Sequence, residues 1–102
     1  MLASASYDNS IKFWSQEDDD WTCIDTIKGH ESTVWDIAFS RDEAFMASCS
    51  DDLLTKIWAK NEEFEEKDYY CHISTLEGYH DRPIYSCSWN FDGNFLATVN
   101  RF

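Results

Sequence analysis

His30, Ser48 and Asp52 are the three side-chain types of a nucleophilic triad. In such a site an imidazole takes a proton from a hydroxyl while a carboxylate orients the ring. The surrounding sequence argues against that chemistry. Ser4, Asp8 and Trp14 stand 44 residues before Ser48, Asp52 and Trp58, and His80 and Thr98 begin a further copy. A catalytic constellation is built once, whereas a set that recurs in register behaves as structure does. Nothing near these residues supplies the converging N–H groups of an oxyanion hole. The chain is read as non-enzymatic.

Two other residue classes could do chemistry. Cys23, Cys49, Cys71 and Cys87 form no C-x-x-C pair and fit no common zinc spacing. Cluster ligation needs several thiolates converging on one exposed point. Cys49 and Cys87 lie among apolar neighbours, so the cysteines are expected to be reduced and mostly buried. The acidic stretches at 17–20 and 62–68 lack the spaced Asp-x-Asp-x-Gly loop that shapes a calcium site. They are expected to be solvated loops, with docking of a basic partner as the sharper reading. No metal and no cofactor is called for.

The elements that position these residues are short strands. Leu2 to Trp14 repeats as Met46 to Trp58 at a step of 44 residues, and Gly29-His30 with Val34 to Ser40 repeats as Gly78-Tyr79-His80 with Ile84 to Asn90 at a step of 50. The excess lies in a longer charged loop and the inserted Tyr79. Strands are predicted over residues 2–6, 10–15, 21–27, 34–40, 45–49, 54–59, 70–76, 84–90 and 95–99. Each is short, rich in β-branched and aromatic residues, and bounded by turn residues. No segment keeps apolar residues at helical spacing for three turns. A period in the forties with four strands per unit is the signature of a β-propeller.

Composition agrees with a folded domain: 43% of the 102 residues are hydrophobic and 17% aromatic. The net charge of −12 argues against nucleic acid or an anionic membrane as partner, since both demand clustered Lys and Arg. No apolar run reaches membrane-spanning length, and no signal peptide is visible.

Gly29-His30 through Trp58, flanked by Leu2–Trp14 and Gly78–Thr98, resembles the WD40 repeat over essentially the whole chain. Ser15 or Ala59 follows the tryptophan where the family's eponymous Asp would stand. The resemblance implies an all-β propeller fragment of two to three four-stranded antiparallel blades, its ring not closed. Residues 1–27 would end one blade, 28–77 form a complete one, and 78–102 begin the next. It also implies that His30, Ser48, Asp52 and Trp58 form a structural brace, with Ser4, Asp8, Trp14, His80 and Thr98 in partial ones. Such a brace is physically sensible, because a buried carboxylate and an indole N–H both need partners. In a propeller of this kind Tyr7, Thr33, Trp35, Asp51, Arg82 and Tyr85 would share one face, the candidate partner-binding surface. The alternative is that Trp35 and Tyr85 are packed between blades.

The acidic run before Trp21-Thr22-Cys23, and the aromatic inserted in Gly78-Tyr79-His80, resemble the WD40 proteins of cytosolic iron–sulphur protein assembly, which are seven-bladed. That resemblance implies about the fourth to sixth blades of a non-catalytic adaptor in cytosol and nucleus. It would bind cluster-targeting subunits and apo iron–sulphur client proteins. A WD40 adaptor of a chromatin or ubiquitin-ligase complex is the rival reading. The family's functional arginine would fall upstream of Met1 and is not carried over. After Thr98 the pattern expects a small residue and then Asp, but Val99-Asn100-Arg101-Phe102 follows, as a misread exon boundary or an incomplete gene model would give. The isolated chain is expected to be marginally stable or aggregation-prone.

Overall fold

The computed structural model describes residues 2–60 and 70–100. The second acidic stretch, 62–68, lies outside the described residues. The described residues contain nine strands and no helix: β1 (Leu2–Ala5), β2 (Ser10–Glu17), β3 (Asp20–Lys28), β4 (Val34–Phe39), β5 (Phe45–Ser50), β6 (Thr55–Lys60), β7 (Tyr70–Leu76), β8 (Ile84–Trp89) and β9 (Leu96–Asn100). They form three antiparallel sheets, ordered β1-β2-β3, β4-β5-β6-β7 and β8-β9. All nine strands expected from the sequence are present, and their ends differ from expectation by two residues at most.

The repeat extends to irregularities of the ladder. A break in register falls between Phe13 and Trp14 in β2 and between Ile57 and Trp58 in β6. Another falls between Val34 and Asp36 in β4 and between Ile84 and Ser86 in β8. Bulges re-aim side chains and increase local twist. Here they sit beside the brace tryptophans and at the entry of the first strand of each unit.

The turns follow from which residues tolerate a left-handed backbone. Asp18 (φ 49°) and Asp19 (φ 71°) close the β2–β3 hairpin, and β2 and β3 run up to them. The acidic run that read as a loop is therefore a two-residue turn with longer strands, because Asp accepts this conformation better than most residues. Asn9 (φ 74°) and Leu53 (φ 72°) occupy the same place one repeat apart, as do Glu43 (φ 62°) and Gly93 (φ 75°).

The sheets pack face to face through two apolar layers. Ile11, Phe13, Val34, Met46, Trp58 and Tyr70 form one, with Ile24, Ile27, Ile37 and Phe39 against it. Phe13 and Tyr70 stack with centroids 5.6 Å apart. The Tyr70 hydroxyl donates to the Glu43 carbonyl at 2.7 Å. Ala47, Cys49, Ile84 and Cys87 form the second layer, between the second and third sheets. Residues Met46 through Ser50 are all buried, because β5 has partner strands on both edges and a sheet against it. Full burial of Phe13 alone contributes about 2–3 kcal/mol.

Candidate functional site: a hydrogen-bonded brace beneath an aromatic rim

Four elements converge on the brace. His30 precedes β4, Ser48 lies in β5, Asp52 sits in the β5–β6 turn and Trp58 in β6. His30 Nδ1 is 2.9 Å from Asp52 Oδ2, and His30 Nε2 is 2.7 Å from Ser48 Oγ. Trp58 Nε1 donates to Ser48 Oγ at 2.9 Å. The donor inventory fixes the proton positions. For a neutral imidazole, the acceptor-only Asp52 carboxylate takes the proton of Nδ1, which leaves Nε2 to accept the Ser48 hydroxyl proton while Ser48 Oγ accepts from the indole N–H. The imidazole then carries its proton on Nδ1 and donates to Asp52. Burial holds His30 below the usual imidazole range, opposed by the Asp52 carboxylate. Burial alone would raise Asp52, but the Glu31 N–H and the His30 donor outweigh it and its carboxyl lies below the usual range. The pair is thus a neutral imidazole and an ionised carboxylate.

Asp52 also organises its own turn. Oδ2 accepts from the Glu31 N–H at 3.0 Å and Oδ1 from the Leu54 N–H at 3.0 Å. Ser50 ties the turn to the next connection, its hydroxyl donating to the Thr33 carbonyl at 2.8 Å. Gly29 is required by Trp58. A Cβ there would stand 2.9 Å from Trp58 Cη2, well inside contact distance.

The flanking units hold parts of the same arrangement. Trp14 Nε1 donates to Ser4 Oγ at 3.0 Å. Asp8 accepts from the Ser10 N–H at 3.1 Å and from the Ser10 hydroxyl. The Ser10 and Ser6 hydroxyls bring its carboxyl down to about 2. His80 Nε2 and Thr98 Oγ1 are 2.8 Å apart.

Above the brace, connections and turns meet at one end of the sheets. The Trp35 indole N–H donates to Asp51 Oδ1 at 3.0 Å and its ring meets Tyr85 edge-on, centroids 5.1 Å apart. Trp35 is packed against Tyr85 of the next sheet and is still 45% exposed. The Asp51 N–H donates to the Thr33 carbonyl at 2.9 Å. Tyr7 is 86% exposed. The Ser6 carbonyl beside it accepts from the Val34 N–H at 3.1 Å, which joins the first sheet to the second. Arg82 is exposed on the connection that leads to β8.

Two features escaped the sequence reading. Asp36 Oδ2 accepts from the Cys87 N–H at 3.1 Å and the Ser86 hydroxyl at 3.2 Å, clamping β4 to β8. A lone carboxylate inside an apolar strand was the available signal. The cysteines also divide. Cys49 and Cys87 are buried, but Cys23 and Cys71 are exposed, because β3 and β7 are the outer strands of their sheets. The neighbouring Cys49 thiol and burial push the Cys87 thiol far up, which keeps it protonated. Among the described residues no group of three or more His, Cys, Asp or Glu could hold a metal ion.

Four-stranded antiparallel order, a repeat in the forties and a His–Ser–Asp–Trp network define a class of repeat protein. Residues 1–15, 21–59 and 70–100 match the family described as WD domain, G-beta repeat, and the chain belongs to this WD40 family.

Its curated relatives are more particular. It is 42% identical over 99 residues to a probable cytosolic iron–sulfur protein assembly protein of Ixodes scapularis, covering 96% of this chain and 30% of that one. It is 43% identical over 100 residues to a protein of the same description from Aedes aegypti, covering 88% of this chain and 30% of the relative. A yeast counterpart from Vanderwaltozyma polyspora is 44% identical over 82 residues, covering 74% of this chain and 23% of that one. The chain therefore spans less than a third of the length of these relatives.

Proposed function

We propose that this chain is part of a non-catalytic WD40 adaptor of cytosolic iron–sulphur protein assembly. The observation that supports this reading is the agreement of relatives from a tick, a mosquito and a yeast, each described as a probable cytosolic iron–sulfur protein assembly protein. The adaptor would work in the cytosol, and in the nucleus where its clients are nuclear. It would bind cluster-targeting subunits and apo iron–sulphur proteins; the cluster is cargo.

The physical support is in the geometry. The brace uses its imidazole to bind a carboxylate and a hydroxyl, and the hydroxyl is already committed to Trp58. A serine so held has no free approach for an electrophile. Rigid strands keep Tyr7, Thr33, Trp35, Asp51, Arg82 and Tyr85 in fixed relation, so little ordering entropy is lost when a partner docks. Aromatic residues and arginine are the usual anchors of such contacts.

The test is cluster loading in cells. Depletion of the native protein should lower radioactive-iron incorporation into immunoprecipitated cytosolic iron–sulphur enzymes and leave mitochondrial ones unchanged. Unchanged cytosolic loading, or co-purification with histones or ligase subunits instead, would remove the proposal.

A further inference from the structure

Antiparallel strands put alternate turns at opposite ends of a sheet. The end away from Trp35 and Tyr85 therefore carries the β2–β3, β4–β5 and β8–β9 turns. There the Arg41 guanidinium lies over the Phe91 ring, 3.9 Å from its centroid. The two residues hold the same place in successive repeats, so the contact joins the second sheet to the third. Phe91 is nevertheless 71% exposed; with one face under Arg41, the rest of the ring is open to solvent. Between the turns lies a groove of about 280 Å³, lined by Arg41, Asp42, Phe91, Asp92 and Gly93.

The carboxylates in this groove are available. Asp42 Oδ1 takes the Ser40 hydroxyl at 2.8 Å and the Ala44 N–H at 3.1 Å. These bonds hold its carboxyl below the usual range. Among the described residues, no other residue donates a hydrogen bond to Oδ2 of Asp42 or to either oxygen of Asp92. The same end carries Glu17, Asp18, Asp19, Asp20 and Glu43, all exposed, against Arg41 and Lys60.

We propose that this groove is a second docking site, which takes an arginine or lysine side chain from a segment of a partner protein. The cation lies between the Asp42 and Asp92 carboxylates and against the open part of the Phe91 ring. Charge complementarity selects this occupant. The field at this end is negative, an aromatic ring attracts a cation, and carboxylates accept the N–H donors of a guanidinium. Such a site lets one adaptor hold two proteins at once, one at each end of its sheets.

The test uses the native full-length protein and two capped peptide probes, Arg-Ala-Arg amide and Glu-Ala-Glu amide, with the Gly93 amide followed by NMR. The arginine peptide should shift that resonance saturably and the glutamate peptide should not. Asp42→Asn combined with Asp92→Asn should weaken the arginine peptide roughly fivefold. The Asn at 42 keeps an oxygen for Ser40 and Ala44 but loses the charge that those bonds favour, so the thermal transition should fall slightly and stay cooperative. Phe91→Leu should weaken binding about threefold, whereas Trp35→Ala should leave it intact. No shift with the arginine peptide, equal or stronger binding of the glutamate peptide through Arg41, or an unaffected double variant would each overturn the assignment. Because the probes are peptides and the site is remote from Trp35, failure here leaves the iron–sulphur reading standing.

Discussion

Ser48 joins the two halves of the brace, its hydroxyl bonding to both His30 and Trp58. Ser48→Ala leaves an indole N–H and an imidazole nitrogen buried without a partner, at a cost of about 2–3 kcal/mol. Chemical denaturation of the native protein measures this. Trp58→Phe removes the donor together with its need, so it should cost less than Ser48→Ala in the network, apart from lost packing. The brace also makes a pH prediction. The folded imidazole resists the proton that an unfolded histidine accepts, so the unfolded state binds more protons below pH 6.5. Stability should fall as pH drops below 6.5. It should fall again as pH passes below 3.8 toward the lowered folded value of Asp52. Melting temperatures at pH 7.5 and 5.5 test the first step, and His30→Gln should flatten it. A flat profile in the parent protein would contradict the neutral, Nδ1-protonated assignment.

At the scale of elements, the repeat supplies its own control. Asn9 and Leu53 occupy equivalent turns with φ near 70°, but only asparagine is suited to that backbone. Leu53→Asn should therefore stabilise the protein by about 1 kcal/mol, seen as a higher denaturation midpoint with an unchanged slope. A loss of stability would mean that the half-buried Leu53 side chain matters more than its backbone. This contrast also shows what the sequence could disclose. Strand positions were legible because apolar alternation and turn residues are local properties, and every strand was found within two residues. The reason for Gly29 was not legible, since it depends on a Trp58 ring that arrives from 29 residues downstream. The Asp36 clamp was hidden for the same reason, because its partners Ser86 and Cys87 lie on another sheet. The exposure of Cys23 and Cys71 follows from strand order, which composition does not encode. Asp36→Ala should loosen the seam between β4 and β8, with faster hydrogen exchange at the Cys87 amide.

For the whole molecule, the three open sheets of three, four and two strands have β1 and β3, β4 and β7, and β8 and β9 as edge strands among the described residues. Unpaired edges invite association. The 102-residue polypeptide made by itself should melt broadly and self-associate. A sharp, concentration-independent transition would contradict this. The braced strands hold Trp35 and Tyr85 as a pair, and the proposed adaptor role predicts partners that dock on it. Trp35 is bonded to Asp51 on its own sheet and packed on Tyr85 of the next. Truncating both rings removes contact area without touching the brace.

The most direct measurement is quantitative affinity purification of the native protein beside its Trp35→Ala/Tyr85→Ala variant, with thermal melts of both. Iron–sulphur assembly subunits should co-purify with the parent and fall at least about tenfold with the variant, while the variant melts lower for the lost seam packing but stays folded at the temperature of the purification. Undiminished capture by the variant, or a partner set without iron–sulphur assembly proteins, would contradict the account.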